Sequence, residues 1–153
     1  MPPQVVDQWE ASTNQYVSAG GREQAAALVE LRRQALEGLH AAGVPVLLGT
    51  DSPQLFSVPG ASLQHEIAVL DAAGLQPFDV LHAGTSAVGR FYNDPSLGRV
   101  AVGARADLLL LDEDPRDDAR RALSPAAVVV DGRWLPGDVL HAALDELAAR
   151  HGG

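Results

Sequence analysis

The segment Val44-Pro45-Val46-Leu47-Leu48-Gly49-Thr50-Asp51 constrains this chain more than any other. It follows directly on a helical pattern. Leu28, Leu31, Ala35, Leu39 and Ala42 recur at spacings of 3, 4, 4 and 3, and Gly43 suits the left-handed position past a helix end. The spacing predicts a helix over 22–42. Residues 44–49 are mostly apolar and include two β-branched side chains, which predicts a short buried strand. A helix-to-strand step of this kind is half of a parallel βα unit. The strand breaks at Gly49-Thr50 and leaves the Asp51 carboxylate at its C-terminal tip, where α/β folds gather ligands and catalytic groups. An acid there can bind a metal or take a proton from water. Asp is also common in turns, and Thr50 and Ser52 offer Asp51 local hydrogen-bonding partners for a purely structural turn.

The chain on either side reads as follows. Residues 1–20 are polar, with scattered Trp9 and Tyr16 and no sustained period, and are expected to form an exposed loop or frayed terminus closed by Gly20-Gly21. After Asp51 a loop rich in Pro and Ser runs to Gly60 and carries Leu55, Phe56 and Val58. Loops at strand tips favour substrate contacts, so Phe56 is either a pocket wall or a pin holding the loop on the core. Ser62 is placed to N-cap a helix reaching Ala73, with Leu63, Ile67 and Leu70 on one face and Gly74 ending it. Pro77 suits the first turn of a further helix to Tyr92, packed through Leu81, Gly84, Val88 and Phe91. The last third changes character near Asn93-Asp94-Pro95-Ser96. Residues 100–102 and 107–111 read as strands separated by Gly103, and 112–118 as a charged loop. Asp131-Gly132 between two apolar runs is a strong two-residue hairpin signal. Asp138 begins a terminal helix with Leu140, Leu144 and Leu147.

Composition excludes several classes. Twenty acids against 11 bases give a net charge of −9, and no basic patch offsets it, so no nucleic-acid partner is expected. All the bases are Arg; without Lys the chain can form no Schiff base and no carbamylated lysine. Without Cys there is no disulfide, thiolate ligand or cysteine nucleophile. No apolar run approaches the ~18 residues that span a bilayer, so no membrane partner is expected. Met1-Pro2-Pro3-Gln4 does not read as a signal peptide, and the expected location is the cytoplasm. A Gly-x-Gly-x-x-Gly loop, a P-loop and a Gly-x-Ser-x-Gly elbow are all missing from the sequence.

The ordered series Leu47-Leu48-Gly49-Thr50-Asp51-Ser52-Pro53-Gln54, Val58-Pro59-Gly60, Leu63-Gln64-His65-Glu66 and Ala72-Ala73-Gly74-Leu75 continues through Leu81-His82-Ala83-Gly84-Thr85-Ser86. It ends in Gly98-Arg99-Val100-Ala101-Val102-Gly103-Ala104-Arg105-Ala106-Asp107, followed by a run of four Leu and Asp112. Over roughly residues 25–135 this resembles the C-terminal part of the amidohydrolase superfamily. The nearest likeness is to its imidazolonepropionase-like and Xaa-Pro-dipeptidase-like metal-dependent hydrolases.

The resemblance implies an α/β fold: a C-terminal fragment of a (β/α)8 TIM-like barrel plus strands of a small β-sandwich. The corresponding division is a polar segment at 1–21, barrel elements at 22–97, returning sandwich strands at 98–136 and a terminal helix at 137–153. It implies hydrolysis of non-peptide or dipeptide-like C–N bonds in a small-molecule substrate. Asp51 maps onto the family's last-strand aspartate, a metal ligand and general base, and Ser52 and Phe56 become substrate contacts. The cofactor implied is a divalent metal, zinc first, which brings the pKa of bound water to ≈ 7.

The departure is equally plain. The chain has no His-x-His, and His40, His65, His82, His141 and His151 show no metal-ligand spacing. One carboxylate does not hold a catalytic zinc, which takes about three protein ligands. The chain alone is therefore expected to be inactive, its partner being the missing N-terminal half of the barrel or a second copy of itself. A truncated hydrolase, a split-enzyme subunit and a noncatalytic module that binds a partner or small metabolite all fit; the first is favoured.

Overall fold

The computed structural model describes residues 2–151. Six helices carry about half of the described residues: α1 (Pro3–Ser18), α2 (Gly21–Ala41), α3 (Ser62–Ala72), α4 (Pro77–Ala83), α5 (Ser86–Phe91) and α6 (Gly137–His151). Strands β1 (Leu108–Leu110), β2 (Ala127–Val130) and β3 (Arg133–Pro136) form an antiparallel sheet in the order β1-β2-β3, and a 3-10 helix lies at Ala119–Leu123. The result is a mixed helix–strand protein with one small antiparallel sheet.

The first 20 residues depart from expectation, because they form α1 and not a loop. Pro3 stands at the first helical position, where its missing N–H costs nothing. Val5, Trp9, Thr13 and Val17 recur every four residues as the half-buried stripe. α1 turns back onto α2 at Gly20, whose φ of 83° is open to glycine. The Tyr16 ring lies so close to Gly21 that a Cβ there would come within 2.3 Å of it.

The core is small. Ile67, Leu70, Ala73, Leu75, Val80 and Ala119 form its buried centre, with Leu36, Val46, Leu48, Leu63, Leu81 and Leu123 packed around them. It therefore joins α3, α4, the 3-10 helix and the C-terminal part of α2. Burial of a leucine or valine side chain contributes about 1.5–3 kcal/mol, so this cluster holds the middle of the chain together.

The predicted strand at 44–49 has the side-chain pattern of a strand without its ladder. Val46 and Leu48, two residues apart, both point into the core, as a period of two requires. Leu48 N donates to Ala83 O at 3.1 Å, but the N–H groups of Val46 and Leu47 find no backbone acceptor among the described residues. The predicted strand at 100–102 is likewise absent: Val100 and Val102 stand in solvent between Gly98 and Gly103, both at positive φ, with nothing to pair against.

Two helix boundaries shift for local reasons. The helix expected from Pro77 to Tyr92 breaks at Gly84-Thr85, where Thr85 Oγ1 bonds back to Leu81 O at 2.6 Å and Leu48 packs onto Gly84. Ser62 is the first residue of α3 and not its cap; its hydroxyl accepts from Val58 N at 2.8 Å. The hairpin signal at Asp131-Gly132 holds. Both residues take positive φ (51° and 75°), as a type I′ turn demands, and Val130 pairs with Arg133 across it. The charged loop at 112–118 is tied by Arg121 to Glu113 and Asp117 at 2.8 and 2.9 Å.

Much apolar surface stays uncovered. The accessible surface is 10883 Å² for 16.0 kDa. A compact monomer of that mass exposes roughly 7,400 Å², so the excess is about 3,500 Å², the size of an obligate interface. Val29 and Leu31 on α2, Leu109 and Leu110 on β1, and Leu144 on α6 are among the residues left half or more exposed.

Candidate active site

The end of the 44–50 segment is built by hydroxyl groups. Ser57 Oγ donates to Thr50 O at 3.1 Å and meets Ser52 Oγ at 2.5 Å, and Ser52 N donates to Thr50 Oγ1 at 3.3 Å. Backbone bonds between Gln54 and Ser57, at 2.9 and 3.1 Å, close the tight turn that follows. The loop is thus folded on itself and needs little from the rest of the chain to hold its shape.

Asp51 sits at the apex with φ 51°, a left-handed conformation that Asp tolerates better than most residues. Its side chain is exposed and accepts a hydrogen bond from the Gln54 amide. A carboxylate so placed can take a proton or coordinate a cation. Ser52 is half-buried with its hydroxyl turned to Ser57 and not outward. Phe56, also left-handed at φ 56°, meets the Trp9 ring of α1 at 5.4 Å between centroids, tilted by 56°. This contact ties the loop to α1. Asp51 and Ser52 thus share one loop, while Phe56 is drawn to another element.

A second acid stands at the same tip. Glu66 of α3 is half-buried, with its carboxyl near the Gly49 backbone N–H. Burial pushes its carboxyl above the ordinary range, opposed by the Gly49 N–H and by the charge of His65. Nothing in the sequence reading gave Glu66 a role. The signal was present: it follows core-packed Leu63 by three positions and precedes core Ile67 by one, which puts it beside the buried face of α3.

The histidines lie elsewhere. His40 approaches Asp79 at 3.8 Å, His82 contacts Arg90, and His65 and His141 are exposed on α3 and α6. Among the described residues no group of three His, Asp or Glu side chains is placed to hold a metal ion. These residues therefore do not fit a catalytic zinc by themselves.

The family model for the amidohydrolase family matches residues 13–135. The chain belongs to the amidohydrolase family. The ochratoxinase of Aspergillus niger is 32% identical over 108 residues, which is 67% of this chain and 21% of that enzyme. The solved structure of bottromycin amidohydrolase superposes with a TM-score of 0.77 at 29% identity, over 99% of this chain and 34% of that one. A Bifidobacterium longum protein assigned as a prolidase gives a TM-score of 0.60 at 35% identity, over 72% of this chain and 29% of that one. The chain thus spans about a fifth to a third of the length of these amidohydrolase relatives. The tip at Asp51 and the α3–α5 helices lie inside the family match.

Proposed function

We propose that this chain supplies the last barrel strand, its following helices and the returning strands of an amidohydrolase that cleaves non-peptide or dipeptide-like amide bonds. The supporting observation is the 44–51 segment. Its side chains alternate as a strand's do, it ends in a carboxylate, and it has no sheet neighbour among the described residues. Backbone groups so placed call for strands from another polypeptide segment. The uncovered apolar surface gives that segment a place to bind.

In the completed protein Asp51 is the group that accepts the proton of the attacking water. It would also contribute one ligand to a divalent metal, zinc by preference, whose other ligands come from outside this chain. Such a metal, if bound in the completed protein, would supply Lewis-acid polarisation of the scissile carbonyl. Ser52 and Ser57 hold the loop that aims Asp51, and Glu66 steadies the backbone two residues before it. Amide hydrolysis agrees with the name of bottromycin amidohydrolase and with the matched family. Alone, the chain is inactive. A noncatalytic role, as a module that binds a partner through the same exposed faces, is the second reading, and the same apolar surface favours it.

The test is complementation. The chain is mixed with a polypeptide supplying the remaining barrel and its histidines, and amide hydrolysis is assayed with and without Asp51→Asn. Asn tolerates the same left-handed backbone, so the loop keeps its shape. The expected result is activity only in the mixture, reduced by about 10²–10⁴-fold in the variant. A mixture that forms a stable complex with no activity would favour the noncatalytic reading.

A further inference from the structure

α5 and the loop that follows it line an open cleft of about 500 Å³, with His82, Arg90, Asn93, Asp94 and Arg99 on its walls. Two arginines on one cleft reverse the sign of a chain whose net charge is −9. Neither is paired with a carboxylate. Arg33, Arg105, Arg116, Arg120, Arg121 and Arg150 are each paired with a carboxylate, whereas Arg90 and Arg99, like Arg22, Arg32 and Arg133, form no ion pair among the described residues. The side chain that Arg90 meets is the imidazole of His82, through Nε2.

The acid on the cleft is occupied. Asp94 Oδ1 accepts from Ser96 N at 2.9 Å and from Ser96 Oγ at 2.7 Å, and these bonds hold its carboxyl below the usual range. Two glycines fix the walls. A Cβ on Gly89 would stand 2.6 Å from Leu97 O, and one on Gly98 would stand 2.1 Å from Thr85 O. The loop therefore lies on α5 more closely than any side chain permits. Asp94 N donates to Gly89 O at 2.9 Å, and Asn93 turns the chain in the left-handed region at φ 53°. Arg99, directly after Gly98, is carried on this fixed frame.

Guanidinium groups present planar forks of N–H donors that match phosphate oxygens, and the Asn93 amide adds a neutral donor. The geometry points to an oxyanion site between α5 and the 93–99 loop, which takes a phosphate group, free or as a small phosphomonoester, on Arg90, Arg99 and Asn93. The site is independent of Asp51 and of the hydrolytic reading.

Calorimetric titration of the full chain with inorganic phosphate and with phenyl phosphate, against a constant chloride background, tests it. Saturable one-site binding is expected. Arg99→Ala should weaken it by about tenfold, as loss of one charge-assisted contact does. Asn93→Gly, which keeps the left-handed backbone, should weaken it less, and the remote Arg133→Ala should leave it unchanged. Tighter binding of phenyl phosphate identifies a phosphomonoester site, and equal binding identifies the free ion. Absence of saturable binding to either, or equal losses in Arg133→Ala and Arg99→Ala, overturns the proposal.

Discussion

The hairpin at 127–136 and the segment at 44–51 read alike in the sequence, as short β-branched and leucine-rich runs ending in an Asp, yet they fold differently. β2 and β3 pair through four residue couples, and β1 closes on β2 from Leu108 to Leu110. The 44–51 run has no ladder at all among the described residues. The difference lies in where the partners are. An antiparallel strand finds its neighbour across a two-residue turn, so Asp131-Gly132 is enough to specify the pairing. A strand entered from a helix takes parallel neighbours from remote sequence. Its residues can encode the strand, but they cannot supply the sheet.

Removing what holds each region should separate them. The largest effect is expected from Leu70→Ala, because Leu70 is 2% exposed at the centre of the cluster that Val46 and Leu48 pack against. A loss of about 2–5 kcal/mol is expected in urea unfolding, since the cavity adds to the lost burial. The 44–50 segment should loosen with it while the hairpin keeps its pairing, seen as unchanged amide protection at Val128 and Val129. Equal loosening of both would make them one cooperative unit.

Gly132→Ala strikes the hairpin instead. Nothing lies within 4 Å of a Cβ at Gly132, so the cost is conformational, from φ 75° alone. A destabilisation of about 1–2 kcal/mol is expected, with no change in the 44–50 region. Loss of protection at Val46 or Leu47 would instead join the two regions.

Glu66→Gln gives the smallest effect, and its sign depends on pH. Burial raises the folded carboxyl above its ordinary value of 4.5, so the folded state holds its proton more tightly than the unfolded state. Stability therefore falls as pH rises from about 4.5 through the folded pKa, and the cost persists above it. Glutamine removes that cost. The variant should melt higher than the native chain at neutral pH and lose the advantage below pH 4.5, measured as the pH dependence of the melting midpoint. A variant that melts lower at neutral pH would show that the attraction of the Gly49 N–H for the carboxylate outweighs burial.

Legibility followed the same line. The α2 and α3 faces, the Asp131-Gly132 turn and the family resemblance were written in local spacing and in ordered motifs. α1 was missed because its stripe of Val5, Trp9, Thr13 and Val17 is diluted by polar neighbours and acquires meaning only against α2. The 100–102 strand was over-read, since apolar residues there have no partner to cover them. At the tip, Asp51 is legible as an exposed carboxylate because it ends an apolar run. Glu66 is not, because its burial depends on how α3 seats against Gly49, which no local pattern states.

Amide hydrogen exchange at Val46 and Leu47 tests the central claim most directly, first in the chain alone and then with the polypeptide that completes the barrel. In the chain alone these two amides should exchange far faster than Val128 and Val129, and they should slow sharply in the mixture as a ladder forms. Val46 and Leu47 as protected as the hairpin in the isolated chain, or unchanged on mixing, would contradict the account.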